Sequence, residues 1–289
     1  MVGDQPGPSL WKISRGDHVL WVLGTLDNVP KRMKWHPRAV ESALNRSQAL
    51  LPSVPAVSAR IGPFLWIRLY AQWRGMQRDP DRTQLRDWLP APLYARFEAL
   101  KARYDPDDAR IEQLRPPFAA LRLYRRALDT VGLTRTNEIE HTVLAMAERR
   151  GVPVERARLR VADPLGTLKQ VRALSPAAEV DCLAATMQRL ETDLPLMQQR
   201  ARDWAVGDVA ALRALPYPDQ LEACASDLSV APDVAALVAG VSQAWVSAAD
   251  GLLRQRRVSF ATLPIYQLLA AGGPLAHFRA EGYRVDGPG

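Results

Sequence analysis

The sequence is poor in cysteine, histidine and lysine, and it has no long apolar run. Its 289 residues include two cysteines, four histidines and no Cys-x-x-Cys pair, so it carries no compact zinc signature. No run of about 18 apolar residues is present, and we therefore predict no membrane-spanning segment. Motifs of the Gly-x-Ser-x-Gly, P-loop and dinucleotide-binding types are absent as well.

The charge balance is basic, and nearly all of the positive charge is arginine. Lys and Arg number 38 against 31 acidic residues, a net charge of +7, and only five of the basic residues are Lys. The arginines lie beside acidic residues on predicted helical faces, as in Arg110–Glu112, and no nucleic-acid-binding module surrounds them. This pattern is typical of solvated faces, so we predict no nucleic-acid partner.

The first nine residues contain Gly and Pro but no hydrophobic segment of a signal peptide. We predict that residues 1–9 are a flexible lead-in. Such a start fits a mature exported domain from which a signal was removed. A periplasmic or exported location is therefore expected, with the cytoplasm as the alternative.

Strand-like runs lie near both ends of the chain. Trp11–Arg15 and His18–Leu23 are β-rich and are separated by Gly16-Asp17, which is a hairpin signal. Near the other end, Val258–Leu263 and Tyr283–Val285 have the same character. Neither end could close a core alone, so both ends are expected to supply strands to one sheet.

The chain between these runs is mostly helical in pattern, over residues 62–150 and 175–257. An apolar content of 47% is typical of a globular chain. We therefore predict a single α/β (α+β) domain over residues 1–289, in which the chain ends form a central mixed sheet and the helical segments are large insertions.

Two of the helical patterns predict how helices pack. Phe64–Trp73 is apolar nearly all round, which predicts a buried helix. Apolar residues spaced by three and four form a seam over Val180–Trp204, and Pro195 should kink or split the helix within it. We predict that this seam pairs with the Pro232–Arg257 helix as an antiparallel hairpin within residues 175–257. Pairing between chains is the alternative, so a monomer or a weak homodimer is expected.

The two cysteines, Cys182 and Cys224, allow two interpretations. They are either two buried thiols or one disulfide, and the sequence favours neither. Pairing requires that the chain turn back after the first long helix, so that the two Cα atoms lie within roughly 7 Å.

Candidate functional residues follow two predicted strands. Ligands of α/β sheets bind at loops that leave the carboxyl ends of strands, and two such loops are Gly24–Asn28 and Leu263–Gln267. Elsewhere, Glu138 and His141 are three residues apart and could share a helical face with metal-like spacing. Glu and His at that spacing more often form a surface ion pair than a metal site.

Several motifs resemble those of the TraB/GumN family, also called Tiki-like. The resemblance extends over nearly the whole chain. The opening motif is Leu10-Trp11-Lys12-Ile13-Ser14 with Val19–Thr25, and the helix that follows it is Val40–Ser47. The middle motif is Thr136–Ile139 with Ala147–Val154. The ending motif is Val258–Pro264 with Gly273–Leu275 and Phe278–Val285.

The resemblance implies a fold shared with Tiki-type metal-dependent proteases and ChaN-like proteins. It also implies a site built from two Gly-x-x-His motifs and a Glu. Imidazole and carboxylate ligands of this kind hold a divalent metal that activates water or polarises a carbonyl.

This sequence departs from that implied site at all three positions. The first motif reads Gly24-Thr25-Leu26-Asp27, with Asp where the His belongs. The stretch Leu51-Pro52-Ser53 has no carboxylate where the Glu belongs, and Leu263-Pro264-Ile265-Tyr266 has neither Gly nor His. One carboxylate does not hold a catalytic metal alone, so we predict no metal and no cofactor.

The favoured function is therefore a non-catalytic binding or regulatory role in the bacterial envelope, with an unknown protein or small-molecule ligand. The alternative is a metal-dependent hydrolase or peptidase rebuilt around Asp27, Glu138 and His141. The residues expected to line the vestigial cleft are Gly24, Thr25, Asp27, Asn28, Glu138, Tyr266 and Gln267.

Overall fold

A computed structural model of the protein describes residues 7–58, 63–78, 84–217 and 232–288. Most of the predicted lead-in lies outside these ranges. The part that is described is not loose, because Gly7 and Pro8 are buried and the Ser9 hydroxyl donates a hydrogen bond to the Gly207 carbonyl at 2.9 Å. For these three residues the predicted flexibility is wrong.

The two chain ends form one five-stranded mixed sheet. β1 (Leu10–Arg15) and β2 (His18–Thr25) are the predicted hairpin, and β3 (Leu50–Leu51) follows. Near the other end, β6 (Val258–Pro264) inserts between β3 and β2 and is parallel to both, while β7 (Arg284–Asp286) pairs antiparallel with β1. The strand order is β3-β6-β2-β1-β7. The predicted mixed α/β fold is confirmed.

Helices occupy most of the remaining described chain, and a short 3₁₀ helix spans Ala109–Gln113. None of the described helices is long and apolar enough to cross a bilayer. Their bounds are α1 (Arg38–Asn45), α2 (Pro63–Met76), α3 (Leu85–Trp88), α4 (Ala91–Tyr104), α5 (Pro116–Thr130), α6 (Glu138–Arg149), α7 (Pro164–Arg172), α8 (Pro176–Thr192), α9 (Leu194–Ala205), α10 (Val209–Ala214), α11 (Pro232–Gln255), α12 (Ile265–Leu269) and α13 (Pro274–Ala280).

A second, small sheet lies among the helical segments. β4 (Ala56–Ser58) and β5 (Arg158–Arg160) run parallel to each other. Just before β5, the backbone N–H of Glu155 donates to the Leu50 carbonyl at 2.8 Å. The chain around β5 is thereby attached to the edge strand β3 of the central sheet.

The core has two hydrophobic clusters, and they contradict the predicted helical hairpin. Leu183 and Leu190 of α8 pack with α4 and α5 in the helical cluster, whereas Trp245 of α11 packs against the central sheet. Only the end of the seam, at Ala201 and Trp204 of α9, joins the cluster that contains Trp245. The prediction failed because α5 presents its own apolar face, which α8 covers. Of the predicted kink or split at Pro195, the split is confirmed, since one helix ends at Thr192 and Pro195 lies in the first turn of the next.

The prediction that Phe64–Trp73 is buried is also wrong. In α2, one inward face holds Leu65, Leu69 and Met76, and the opposite face is open to solvent. Phe64 is 82% exposed. A helix that is apolar all round would be buried in an ordinary core, so its exposure requires a separate explanation.

Cys182 is buried in α8, and its sulfur takes part in a disulfide. Cys224, the other cysteine of the chain, lies outside the described residues. The Cys182–Cys224 pairing stays a prediction, which thiol titration of the denatured, unreduced protein would test.

Candidate functional site

Three parallel strands end at one edge of the central sheet. In the register of the sheet, Gly24 of β2 lies opposite Leu263 of β6, and Leu51 of β3 lies opposite Ala261. The loops that follow β2, β3 and β6 therefore leave from the same edge, where ligands bind in α/β sheets. We call this region the strand-exit cleft.

The loop after β2 is held in place by backbone and side-chain contacts. A Cβ atom at Gly24 would lie 2.9 Å from Ile265, so only glycine allows α12 to approach β2 this closely. The Gly24 carbonyl accepts a hydrogen bond from Trp204 Nε1 at 2.6 Å. The Thr25 hydroxyl accepts one from Asn137 Nδ2 at 2.9 Å. The loop is thereby fixed from α9, α12 and the start of α6.

Asn28 lies in a bend of the chain at the end of this loop. Its φ is +58°, in the left-handed region that asparagine tolerates better than most residues. Both the nitrogen and the oxygen of the side-chain amide are bonded: it donates to the Thr134 carbonyl at 3.0 Å and accepts from the Tyr124 hydroxyl at 2.9 Å. Asn28 therefore has a structural role in holding the neighbouring Asp27 in position.

Asp27 is the accessible ionisable group of the cleft. The residue is exposed at the surface, although protein atoms closely surround its carboxyl group, and no hydrogen bond or ion pair joins that group to another described residue. Burial by the surrounding protein raises the pKa of Asp27, the negative charge of Glu140 raises it further, and Arg189 lowers it. Asp27 is thus a carboxyl group that is reachable by a ligand but poorly hydrated.

Glu140 is the buried carboxylate of the cleft, and its side chain is only 4% exposed. Its Oε2 atom accepts hydrogen bonds from the Ser53 backbone N–H at 2.8 Å, from the Ser53 hydroxyl at 2.5 Å and from the Thr262 hydroxyl. These bonds join α6 to the ends of β3 and β6. Glu140 of α6 therefore places a carboxylate at the end of β3, although the residues at that end, Leu51-Pro52-Ser53, include no acidic side chain.

Sequence reasoning missed Glu140 and selected Glu138 instead. Glu138 is exposed, and its Oε1 accepts from the Thr136 hydroxyl at 2.8 Å. A signal was present, because Glu140 shares a helical face with the buried Val143 and Ala147, at spacings of three and seven. A carboxylate on an apolar helical stripe indicates a buried partner.

A buried ion-pair group lies behind Asp27. Asp193, at the junction of α8 and α9, bonds Arg189 at 3.2 Å and also bonds Arg200, and both Asp193 and Arg200 are almost fully buried. The guanidinium of Arg189 lies 5.1 Å from the centre of the Tyr124 ring. Burial raises the pKa of Tyr124 to about 12, so it stays a hydrogen-bond donor to Asn28.

Comparison with known proteins gives one positive result. A family model described as the TraB/PrgY/gumN family matches residues 9–287. The chain belongs to the TraB/PrgY/gumN family. No curated protein and no solved structure matches the chain.

The sequence comparison predicts that Asp27 and Tyr266 stand where the family's two motifs have His, and this correspondence stays a prediction. In the structure Asp27 is exposed at the open side of the cleft. Tyr266 is 45% exposed, and its hydroxyl accepts from Gln267 Nε2 at 3.1 Å. Because β2 and β6 are neighbours, we still expect Asp27 and Tyr266 to lie on the same side of the sheet.

The structure does not bring Asp27, Glu138 and His141 together as a ligand set. Over the described part of the chain, no three side chains of His, Cys, Asp or Glu are grouped so that they could hold a metal ion. His141 is exposed on α6, and Glu138 bonds Thr136. The rebuilt metal centre considered from sequence is therefore not formed by these three residues.

Proposed function

We propose that this member of the TraB/PrgY/gumN family is a non-hydrolytic binding protein whose strand-exit cleft takes a ligand through Asp27. The observation that carries the proposal is the bonding of Glu140. Its Oε2 is occupied by three donors from Ser53 and Thr262, so this buried carboxylate near Asp27 is used to hold the ends of β3 and β6 together. Asp27 itself remains open.

The surroundings of Asp27 indicate the chemistry of the ligand. Its poorly hydrated carboxyl group gains most from a partner that is cationic or donates hydrogen bonds. Thr25, Asn28 and Tyr124 are already bonded to protein groups and shape the cleft without offering free charges. A ligand with an amino group or several hydroxyl donors fits these properties.

The disulfide on Cys182 supports the envelope location of this proposal, because disulfides persist in oxidising compartments. Binding of a periplasmic or exported ligand is therefore the function that we propose.

Elemental analysis tests this proposal directly. After dialysis against cobalt, manganese or zinc, we expect well below one metal ion per chain and no peptide hydrolysis. A stoichiometric metal that is lost in Asp27→Ala, but kept in the matched variant Glu138→Ala, would contradict the proposal and favour a metal-dependent hydrolase. A peptidase activity lost only in Asp27→Ala would contradict it as well.

A second candidate function rests on the raised pKa of Asp27. Burial and the charge of Glu140 raise the pKa of Asp27, and a carboxyl group with a raised pKa can act as a general acid. A metal-free hydrolase is distinguished by its pH profile. Activity that persists after treatment with a chelator and is lost in Asp27→Asn would establish this candidate in place of pure binding.

A further inference from the structure

The described part of the chain exposes an unusual apolar surface on α2. Five large apolar side chains stand on its outward face, and each is between 47% and 82% exposed: Phe64, Trp66, Ile67, Tyr70 and Trp73. Phe64, Ile67, Tyr70 and Trp73 are spaced by three residues, and Trp66 lies four residues before Tyr70, so the five side chains form a continuous stripe. We call this stripe the aromatic face. Contiguous exposed apolar surface of this kind marks an interaction site.

A strongly basic groove continues from the aromatic face. Two adjoining cavities of about 430 and 300 Å³ share Gln77, Leu114 and Arg122, and the larger one begins at Trp73. Seven arginines line the two cavities together: Arg74, Arg78, Arg110, Arg122, Arg125, Arg126 and Arg135. We call this surface the arginine groove.

Several charges in the arginine groove are not neutralised by the described chain. Arg122, Arg126 and Arg135 pair with Asp108, Asp105 and Asp129. For Arg78, Arg110 and Arg125, no ion pair with a described carboxylate is formed. α2 itself contains no acidic residue. The groove is therefore a net positive surface.

We propose that the aromatic face and the arginine groove together dock the protein onto the surface of an anionic membrane. A helix that lies in the interface places Trp, Phe and aliphatic side chains at the boundary of the acyl chains and keeps arginines near the headgroups. Trp and Tyr favour this boundary because their rings are both apolar and polar. The arginines then contact lipid phosphates.

Two other occupants fit this surface less well. A second copy of the chain would bring one arginine groove against another in a two-fold interface, where like charges repel. Single-stranded nucleic acid would use the arginines and rings, but Ile67 cannot stack on a base. An anionic bilayer accommodates the apolar stripe and the positive charges at once. The proposal does not involve the strand-exit cleft and does not depend on its function.

Vesicle sedimentation tests the proposal with the full chain. We expect binding to phosphatidylcholine vesicles that contain about one quarter phosphatidylglycerol and little binding to pure phosphatidylcholine, with loss at high salt. Binding should shift the tryptophan emission to shorter wavelength. Equal binding to both vesicle types, or no binding to either, would overturn the proposal.

Substitutions of exposed side chains measure separately how much the aromatic face and the arginine groove contribute to vesicle binding. Phe64→Ser with Ile67→Ser should weaken partitioning roughly tenfold or more, since the inserted apolar area is lost. Removing Arg78, Arg110 and Arg125 should weaken it by about fivefold for each charge. The matched triple variant of the exposed Arg149, Arg213 and Arg279 removes the same charge elsewhere and should retain most of the binding. Unchanged circular dichroism confirms folding of each variant.

Other outcomes identify the rejected occupants. Binding to a single-stranded oligonucleotide that is tighter than binding to anionic vesicles would overturn the proposal. A dimer in solution that Phe64→Ser with Ile67→Ser dissociates would overturn it in favour of a second copy. Equal vesicle affinity for the groove triple variant and its matched control would show that the arginine groove has no role.

Discussion

Replacing Asp193 by alanine should lower the free energy of unfolding by about 3–5 kcal/mol, because it leaves buried arginine charge without its partner. Asp193 bonds both Arg189 and Arg200, and its side chain is 2% exposed. Arg200 is the more deeply buried of the two arginines. Chemical denaturation of Asp193→Ala and of the wild type measures the difference in the free energy of unfolding. The dependence of that free energy on denaturant concentration should have the same slope in both proteins.

A matched comparison separates the buried pair from surface electrostatics. Asp129 also bonds two basic residues, Lys31 and Arg135, but it lies at the surface. Asp129→Ala should therefore destabilise the protein by less than about 1 kcal/mol. An equal loss in the two variants would show that Asp193 contributes no more than an exposed ion pair.

Replacing Glu140 by alanine should lower the free energy of unfolding by about 3 kcal/mol, because two buried hydroxyls lose their acceptor and the Ser53 N–H keeps only its 3.1 Å bond to the Thr262 hydroxyl oxygen. The donors are the N–H and hydroxyl of Ser53 and the hydroxyl of Thr262, and they belong to the ends of β3 and β6. The change should also loosen the strand-exit cleft. Denaturation measures the first effect, and hydrogen exchange at the Ser53 amide measures the second.

Glu138→Ala is the control for this experiment, because Glu138 lies on the same helix but is exposed. It should change stability by less than about 0.5 kcal/mol. If both glutamate variants lost the same stability, the cause would be the first turn of α6 and its dipole rather than the bonds from Glu140 to the sheet.

The central sheet could be predicted because its strands carry local signals. The hairpin of β1 and β2 has a turn at Gly16 with φ of +60°, which glycine adopts easily. β6 is a run of buried residues that ends at Pro264. Such patterns are set by residues close in sequence, so the expected positions of the strands and the edge that carries the loops agree with the structure.

The helical packing and part of the cleft depend on residues distant in sequence. The residues around Leu190 do not determine whether it packs against α5 or α11, because both helices have apolar faces of similar spacing. Glu140 reaches Ser53 over 87 positions of the chain. For α2, an apolar composition predicts burial. Its exposure depends on how the rest of the chain packs, because the outward face of α2 is left out of the two core clusters.

The pKa of Asp27 has a consequence for stability with a definite sign. The carboxyl binds its proton more tightly in the folded chain than the ordinary value of 3.8 implies. Its contribution to stability is therefore present below pH 3.8 and decreases as the pH rises through the folded pKa. Asp27→Asn removes this decrease. The variant should therefore gain stability relative to the wild type as the pH rises from 3.8 through the folded pKa of Asp27.

Titration of Asp27 by carbon NMR of its carboxyl group tests most directly whether the strand-exit cleft brings Asp27 and Glu140 together. The wild type should titrate above 3.8, and Glu140→Gln should lower the pKa of Asp27 because one neighbouring negative charge is removed. A wild-type pKa at or below the ordinary value, with no response to Glu140→Gln, would contradict the assembled cleft.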